Sequence, residues 1–261
     1  MAQTSTLRVF LIAMLAVIGG APPVRAQFGS LVSPGQAAQA RSQAELDAYL
    51  QIVQSTDARE VIRKVDAFAS AYPGSELSGL AYQNQVRAFE QLNDFDGMLI
   101  AGEKALRANP DNLNTLLTLA PAMASRADHR PDSAQLLTQA EGDAHRALDG
   151  IEKTRLPHKI TLEHWNLEKH QMQSQAHAVL GMVALQRGYP QAAIPEFQTA
   201  ISLSPVPEGV QFLRLGLAFA SINKKEDAVK SLRRSAELGP ESVRALALVQ
   251  IEKLRTSKSS H

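Results

Sequence analysis

From Ser42 to Leu254 apolar side chains recur three and four positions apart, with Gln, Arg, Glu and Asp between them and few β-branched runs. That spacing puts the apolar set on one face of an α-helix, and the abundant Ala, Leu, Gln and Arg favour helix. Breaks in the pattern divide it into pairs. Gln43–Gln54 and Asp57–Tyr72 close at Pro73-Gly74, and Leu77–Leu92 and Phe95–Ala108 close at Asn109-Pro110-Asp111. Leu113–Ser125 and Ser133–Gly150 form a third pair across the polar link Arg126–Asp132. A linker, Ile151–Thr161, feeds a long helix, Leu162–Arg187, paired with Gln191–Leu203. The fifth pair is Val210–Ile222 and Lys225–Leu238. A last helix, Ser242–Leu254, carries Ala245, Leu248, Val249 and Glu252 in a pattern suited to capping the array.

Two of these pairs repeat each other. Ser174–Pro205 and Gly209–Pro240 align at an offset of 35 residues, with Gly181 on Gly216, Ala193 on Ala228, Phe197 on Leu232 and Pro205 on Pro240. A period of this length marks a stacked array in which each unit buries its apolar face only against its neighbours. Gly181, Gly216, Ala193 and Ala228 leave room where helices cross, while Tyr82, Phe89, Phe197, Phe212 and Phe219 fill the gaps between helices. Pro205 and Pro240 end the second helix of each unit, because proline lacks the amide hydrogen and clashes with the preceding turn.

These residues resemble the tetratricopeptide repeat family. Its consensus is a 34-residue helix pair with Trp/Leu-Gly-Tyr on the first helix, then Gly-x-Tyr, Ala-x-x-x-Phe and a closing proline. Leu180-Gly181, Gly188-Tyr189, Ala193, Phe197, Ala200 and Pro205 follow it, as do Leu215-Gly216, Phe219, Ala228, Leu232 and Pro240. The second pair matches through Tyr82, Phe89, Phe95, Ala105-Leu106 and Asn109-Pro110-Asp111, with Val86 and Met98 where small residues are usual. The first matches through Val61, Val65 and Phe68 without the glycine, and the third is loosest, with Ala120-Pro121 inside a helix. The resemblance covers about residues 42–242. It implies an all-α, right-handed α-solenoid of about five helix pairs plus a C-terminal capping helix over 42–256. The pairs would span about 42–75, 76–111, 112–150, 162–207 and 208–241, with the cap at 242–256.

In that architecture the first helices of successive pairs line a concave groove. Placing each unit by its closing proline gives Asp47, Leu50 and Gln54, then Gln83, Asn84, Arg87 and Glu90, then Asn114, Leu117 and Thr118. Gln175, Val179, Met182 and Gln186 follow, then Leu213, Arg214 and Leu217. One end is amide-rich and the other apolar with a single arginine, a surface suited to an extended peptide or a partner helix. The family's carboxylate clamp finds Asn84, Arg87 and Arg214 here but no lysine, and the two arginines lie in units too far apart to share one carboxylate.

Other chemistry is weakly represented. His158, His164, His170 and His177 lie close in sequence, but Glu163, His170 and His177 step by seven, a rise of about 10.5 Å that no single ion bridges. His164 and Glu168 have ligand spacing without a third partner. No nucleophile elbow, phosphate-cradling glycine loop or His-Glu-x-x-His occurs. Glu45, Asp47, Glu90 and Glu103 are spread over helices as solvated carboxylates are, and nothing selects two of them as an acid–base pair. The expectation is therefore no enzyme activity, no metal and no cofactor.

Leu7–Ile18 is a nearly unbroken apolar run with Arg8 the only nearby charge, broken by Gly19-Gly20-Ala21-Pro22-Pro23, and Val24-Arg25-Ala26 carries the small residues that signal peptidase reads. Residues 1–26 thus read as a secretory signal cleaved after Ala26, with retention as an anchor the alternative. Residues 27–41 read as a linker and 257–261 as a tail. Without residues 1–26 the chain carries 25 basic and 26 acidic side chains, a balance that argues against a nucleic-acid partner. With no cysteine there is no lipobox and no disulfide. The resulting expectation is a periplasmic or secreted scaffold that binds a peptide or protein, with a second copy of the chain a possible partner. A structural spacer acting through the convex face and ends, and an envelope glycan hydrolase, are the rival readings.

Overall fold

The computed structural model describes residues 38–128, 130–156 and 160–256. The expected signal segment and C-terminal tail, and His158, lie outside them. Among the described residues are eleven helices and no strand. They run α1 Gln43–Gln54, α2 Ala58–Ala71, α3 Ser78–Gln91, α4 Phe95–Ala108, α5 Leu113–Arg126 and α6 Ser133–Lys153. Then come α7 Leu162–Gln186, α8 Pro190–Leu203, α9 Gly209–Ser221, α10 Lys225–Leu238 and α11 Glu241–Thr256.

Local chemistry sets where each helix begins. Ser42, Asp57, Asp94, Asn112 and Thr161 each accept the backbone N–H three residues ahead, satisfying a donor that the first turn leaves open. The turn inside a pair is equally defined. Asn93, Gly188 and Asn223 occupy the same repeat position and all take positive φ, at 56°, 81° and 60°. Glycine enters that region freely and asparagine more readily than other side chains.

Each helix packs on its chain neighbour, so the pairs α1/α2, α3/α4, α5/α6, α7/α8 and α9/α10 stack in order and α11 closes the array. The main core joins Val86, Met98, Leu119, Met123, Val183, Phe197 and Phe219. Ile52, Val65, Phe68 and Leu77 form the N-terminal core. Gly181 is where α7 and α8 approach: a Cβ built on it would sit 2.6 Å from the Phe197 ring. Gly216 does the same for α9 and α10, against Leu232 at 2.7 Å. The ring of Phe197 is 1 % exposed, a burial that stabilises by roughly 1.5–3 kcal/mol.

Two places differ from the sequence expectation, and a third, the expected proline inside a helix, shows how the fold accommodates it. Ile151–Lys153, read as linker, continues α6 to 21 residues, because Ile151 is buried with Trp165, Met172 and Leu116. The capping helix packs through Val243, Ala247 and Ile251, whereas Leu248 and Val249, read as part of its capping pattern, are 54 % and 43 % exposed. Pro121 sits within α5, which runs from Leu113 to Arg126. A proline there removes the N–H that would bond the carbonyl of Leu117; instead Gln175 Nε2 of α7 donates to that carbonyl at 2.7 Å. A neighbouring helix thus supplies the hydrogen bond the proline deletes.

Candidate functional site

The groove predicted from sequence divides in two. In its C-terminal half, Val179, Met182, Leu213 and Leu217 are 1–4 % exposed. Val179 and Met182 belong to the main core, and Leu213 and Leu217 are covered by Val243, Ala247 and Ile251 of α11. These four hold helices together and present nothing to a ligand. Gln175 and Gln186 are half-buried and spend their amides on the carbonyls of Leu117 and Ala124 in α5. Asn114 and Leu117 are buried, Asn114 with its Oδ1 unpartnered, and Thr118 donates to the Asn114 carbonyl at 2.7 Å. Arg214 is half-buried on α9. Burial lowers its pKa to about 10 while Glu208 partly offsets this, so it stays charged at neutral pH.

The N-terminal half is open. Tyr49 of α1 lies beside the Asn84 side chain of α3, with Arg87 close by; burial raises the Tyr49 pKa against the opposing pull of both. Asn84 also donates to the Leu80 carbonyl at 2.8 Å, and Gln83 accepts from Asn112 Nδ2 at 2.9 Å. Glu90 reaches solvent, yet its walls desolvate it enough to push its pKa up against the opposing pull of Arg87 and Arg126. Arg126 in turn donates to Asn93 Oδ1 and lies 5.1 Å from the Phe95 ring centroid. Asn84, Arg87, Glu90 and Arg126 therefore make a mixed-charge wall along α3 and the end of α5.

On α1 itself Leu46, Leu50 and Val53 are 37 %, 40 % and 51 % exposed. Their spacing of four and three puts them on one helix face. The interval of 37 residues between Pro73 and Pro110 carries Gln83, Arg87 and Glu90 back onto Leu46, Leu50 and Val53. Sequence reasoning placed Leu50 in the groove but chose Asp47 and Gln54 beside it; this register was the signal that identifies Leu46 and Val53.

Elsewhere, a cleft of about 860 Å³ lies between α8, α9, α10 and the end of α11, with Phe212, Leu215, Phe219 and Val229 among charged neighbours that include Arg233 and Arg234. None of the predicted groove residues lines it. No group of three His, Cys, Asp or Glu converges among the described residues. His164 pairs with Glu168 at 3.2 Å and His177 with Glu196 at 2.7 Å, the second tying α7 to α8. Asp143 is 4 % exposed. Burial raises its pKa to about 6 despite Arg146, whose Nη1 is 3.1 Å from Oδ1, and its Oδ2 lacks a partner.

Successive antiparallel helix pairs, crossing at glycine and alanine and carrying one open wall of side chains, define an α-solenoid of the helix-pair repeat class. More particularly, residues 174–207 match the tetratricopeptide repeat family model. Two solved structures share the fold over most of the chain. The MamA RS-1 ArsTM double mutant shares 13% identity over 86% of this chain and 100% of its own, with a TM-score of 0.52. The assembly chaperone of RpL4 (Acl4), residues 1–338, shares 14% identity over 74% of each chain, with a TM-score of 0.54. No curated protein matches the chain in sequence.

Proposed function

We propose that this chain is an exported scaffold that binds an apolar-polar peptide or helix segment at the N-terminal half of its groove, by equilibrium binding and without catalysis. The observation that carries the reading is the exposed stripe Leu46, Leu50 and Val53 in register with Arg87 and Glu90. Apolar side chains of the segment would meet the leucines and valine, and its polar groups would meet Asn84, Arg87, Glu90 and Arg126. The wall is already ordered by Tyr49–Asn84 and Gln83–Asn112 contacts, so docking loses little entropy on this side. Export rests on Leu7–Ile18 and the Val24-Arg25-Ala26 site alone.

The test is a crosslinking pull-down from envelope extract with the full chain beside a Leu50→Asp, Arg87→Glu variant, both checked for equal helicity by circular dichroism. A partner held by the first and lost by the second supports groove binding. Equal capture by both overturns it in favour of a second reading, a spacer that binds outside the groove. The cleft lined by Phe212, Phe219 and Val229 favours that second reading, and Phe212→Asp would then abolish capture. Glycan cleavage lost on changing a single carboxylate, with folding kept, would overturn both.

A further inference from the structure

The cleft between α8, α9, α10 and the end of α11 combines an apolar lining with cations that nothing around them neutralises. Phe212, Leu215 and Phe219 of α9 line it at steps of three and four, which puts them on one helix face. Phe212, together with Val229 of α10, is only half-buried there. The lining residues of α10 run from Lys225 to Glu237, a rise of about 18 Å or three helical turns. Lys230 and Arg233 on that helix are exposed and make no hydrogen bond or ion pair among the described residues. By contrast, Arg234 pairs with Glu237 at 2.9 Å and Arg255 with Glu252 at 3.7 Å. The lining carries five basic side chains against three acidic ones. Two of those acids, Glu226 and Asp227, occupy the first turn of α10, where the helix's own N-terminal amides favour them.

We propose that this cleft docks an acidic amphipathic helix of a protein partner, its apolar stripe against Phe212, Phe219 and Val229 and its carboxylates against Lys230 and Arg233. Charge complementarity sets the sign. Two free cations three positions apart share one face of α10, and carboxylates three or four apart on a facing helix meet them at the same spacing. The walls set the shape. They are helices whose backbone groups are bonded within themselves, so an extended peptide finds no open row of donors and acceptors such as a sheet edge offers. A helix arrives with its own backbone satisfied and needs only apolar anchors and charged flanks. Gln198, Lys230 and Arg233 leave the cleft open to solvent, whereas a small amphiphile binds where most of its surface is enclosed. The site shares no lining residue with the α1 face and stands whether or not that face is used; it gives the binding outside the groove a partner of defined chemistry.

The test is a selection on the full chain with a displayed library of helices about three turns long. Each helix carries leucine at i, i+3 and i+7, and every flanking position is free to be Glu, Lys or Gln. The same library is run on Phe212→Asp, on the exposed pair Lys230→Glu, Arg233→Glu, and on Leu50→Asp, all checked for helicity by circular dichroism. Docking predicts that Glu exceeds Lys at the flanks of recovered peptides by about tenfold. Those peptides still bind Leu50→Asp, fail on Phe212→Asp, and lose about tenfold in affinity on the charge-reversed pair, which recovers Lys-flanked peptides instead. Should Phe212→Asp disturb the last unit, the charge-reversed pair decides alone, because both of its residues are exposed. Recovery without a charge preference, or unchanged by the cleft variants, overturns the proposal. Peptides lost on Leu50→Asp but kept on Phe212→Asp also overturn it, while supporting the α1 groove. Saturable binding of dodecanoate that Phe212→Asp abolishes, with no peptide recovered, overturns it in favour of an acidic amphiphile.

Discussion

Pro121 and Gln175 offer the sharpest test of how this array is held together. Proline inside a helix costs about 3 kcal/mol or more relative to alanine, partly through the carbonyl it leaves unbonded. Here that carbonyl, on Leu117, receives Gln175 Nε2 at 2.7 Å. Leu117 is 4 % exposed, so Gln175→Leu strips a sheltered acceptor of its donor, at a cost of about 1–3 kcal/mol. Pro121→Ala restores an N–H four residues along and rebuilds the missing bond within α5. In that background Gln175→Leu should cost only a few tenths of a kcal/mol, giving a coupling of about 1–2 kcal/mol in a double-mutant cycle. The assay is urea denaturation of the four proteins, followed by circular dichroism, with hydrogen exchange at Thr118–Arg126 reporting whether the loss is local. Additive effects would refute the reasoning, because they would mean that the glutamine does not replace the proline's missing donor.

Other consequences follow from single contacts. Gly181→Ala places a Cβ 2.6 Å from the Phe197 ring and should cost about 1–3 kcal/mol, whereas Gly142→Ala, with nothing within 4 Å, should stabilise by about 0.5–1 kcal/mol; thermal unfolding separates them. Asp143 has a folded pKa of about 6 against an ordinary 3.8, so the fold favours its protonated form. Its stabilising share is complete below pH 3.8 and is lost as pH rises through 6. Asp143→Asn should therefore gain on the order of 2–3 kcal/mol at pH 7.5 and little at pH 4, read from urea midpoints at the two pH values. Leu50→Asp changes an exposed residue and should leave stability within about 0.5 kcal/mol, which isolates its effect on partner capture.

Helix pairs were legible because packing at a crossing leaves few choices. Gly181, Ala193 and Phe197 meet at one point, and the same three-way fit recurs at Gly216, Ala228 and Leu232, so the spacing shows in the chain. Unit one hid better. At the position Phe212 holds in the last unit it has Glu45, which is 2 % exposed. Ser75 Oγ and the Arg41 N–H donate to its carboxylate, the latter at 2.6 Å, and these bonds lower its pKa. A buried carboxylate satisfied by residues four before it and thirty after it leaves no local pattern. Ile151 was read as linker for a related reason: its burial depends on Trp165 and Leu116, which only the folded hairpin brings near.

The groove was harder still, and the difficulty is one of neighbours. A position on the first helix of a unit faces ligand only if no other helix covers it. α7 lies between α5, α6, α8 and α9, and its C-terminal half is apolar around most of its circumference, with Val179, Leu180, Met182, Val183 and Leu185 all buried, as a helix enclosed by others must be. On α9 the capping helix covers Leu213 and Leu217. α1 has no preceding unit among the described residues, so Leu46, Leu50 and Val53 stay open though they hold the repeat positions that Leu213, Leu217 and Ala220 hold in the last unit. Identical register thus yields core at one end of the array and free surface at the other. The open face follows from where the stack of described helices stops, and for that reason the proposed site lies on the first helix rather than in the units that match the repeat consensus best.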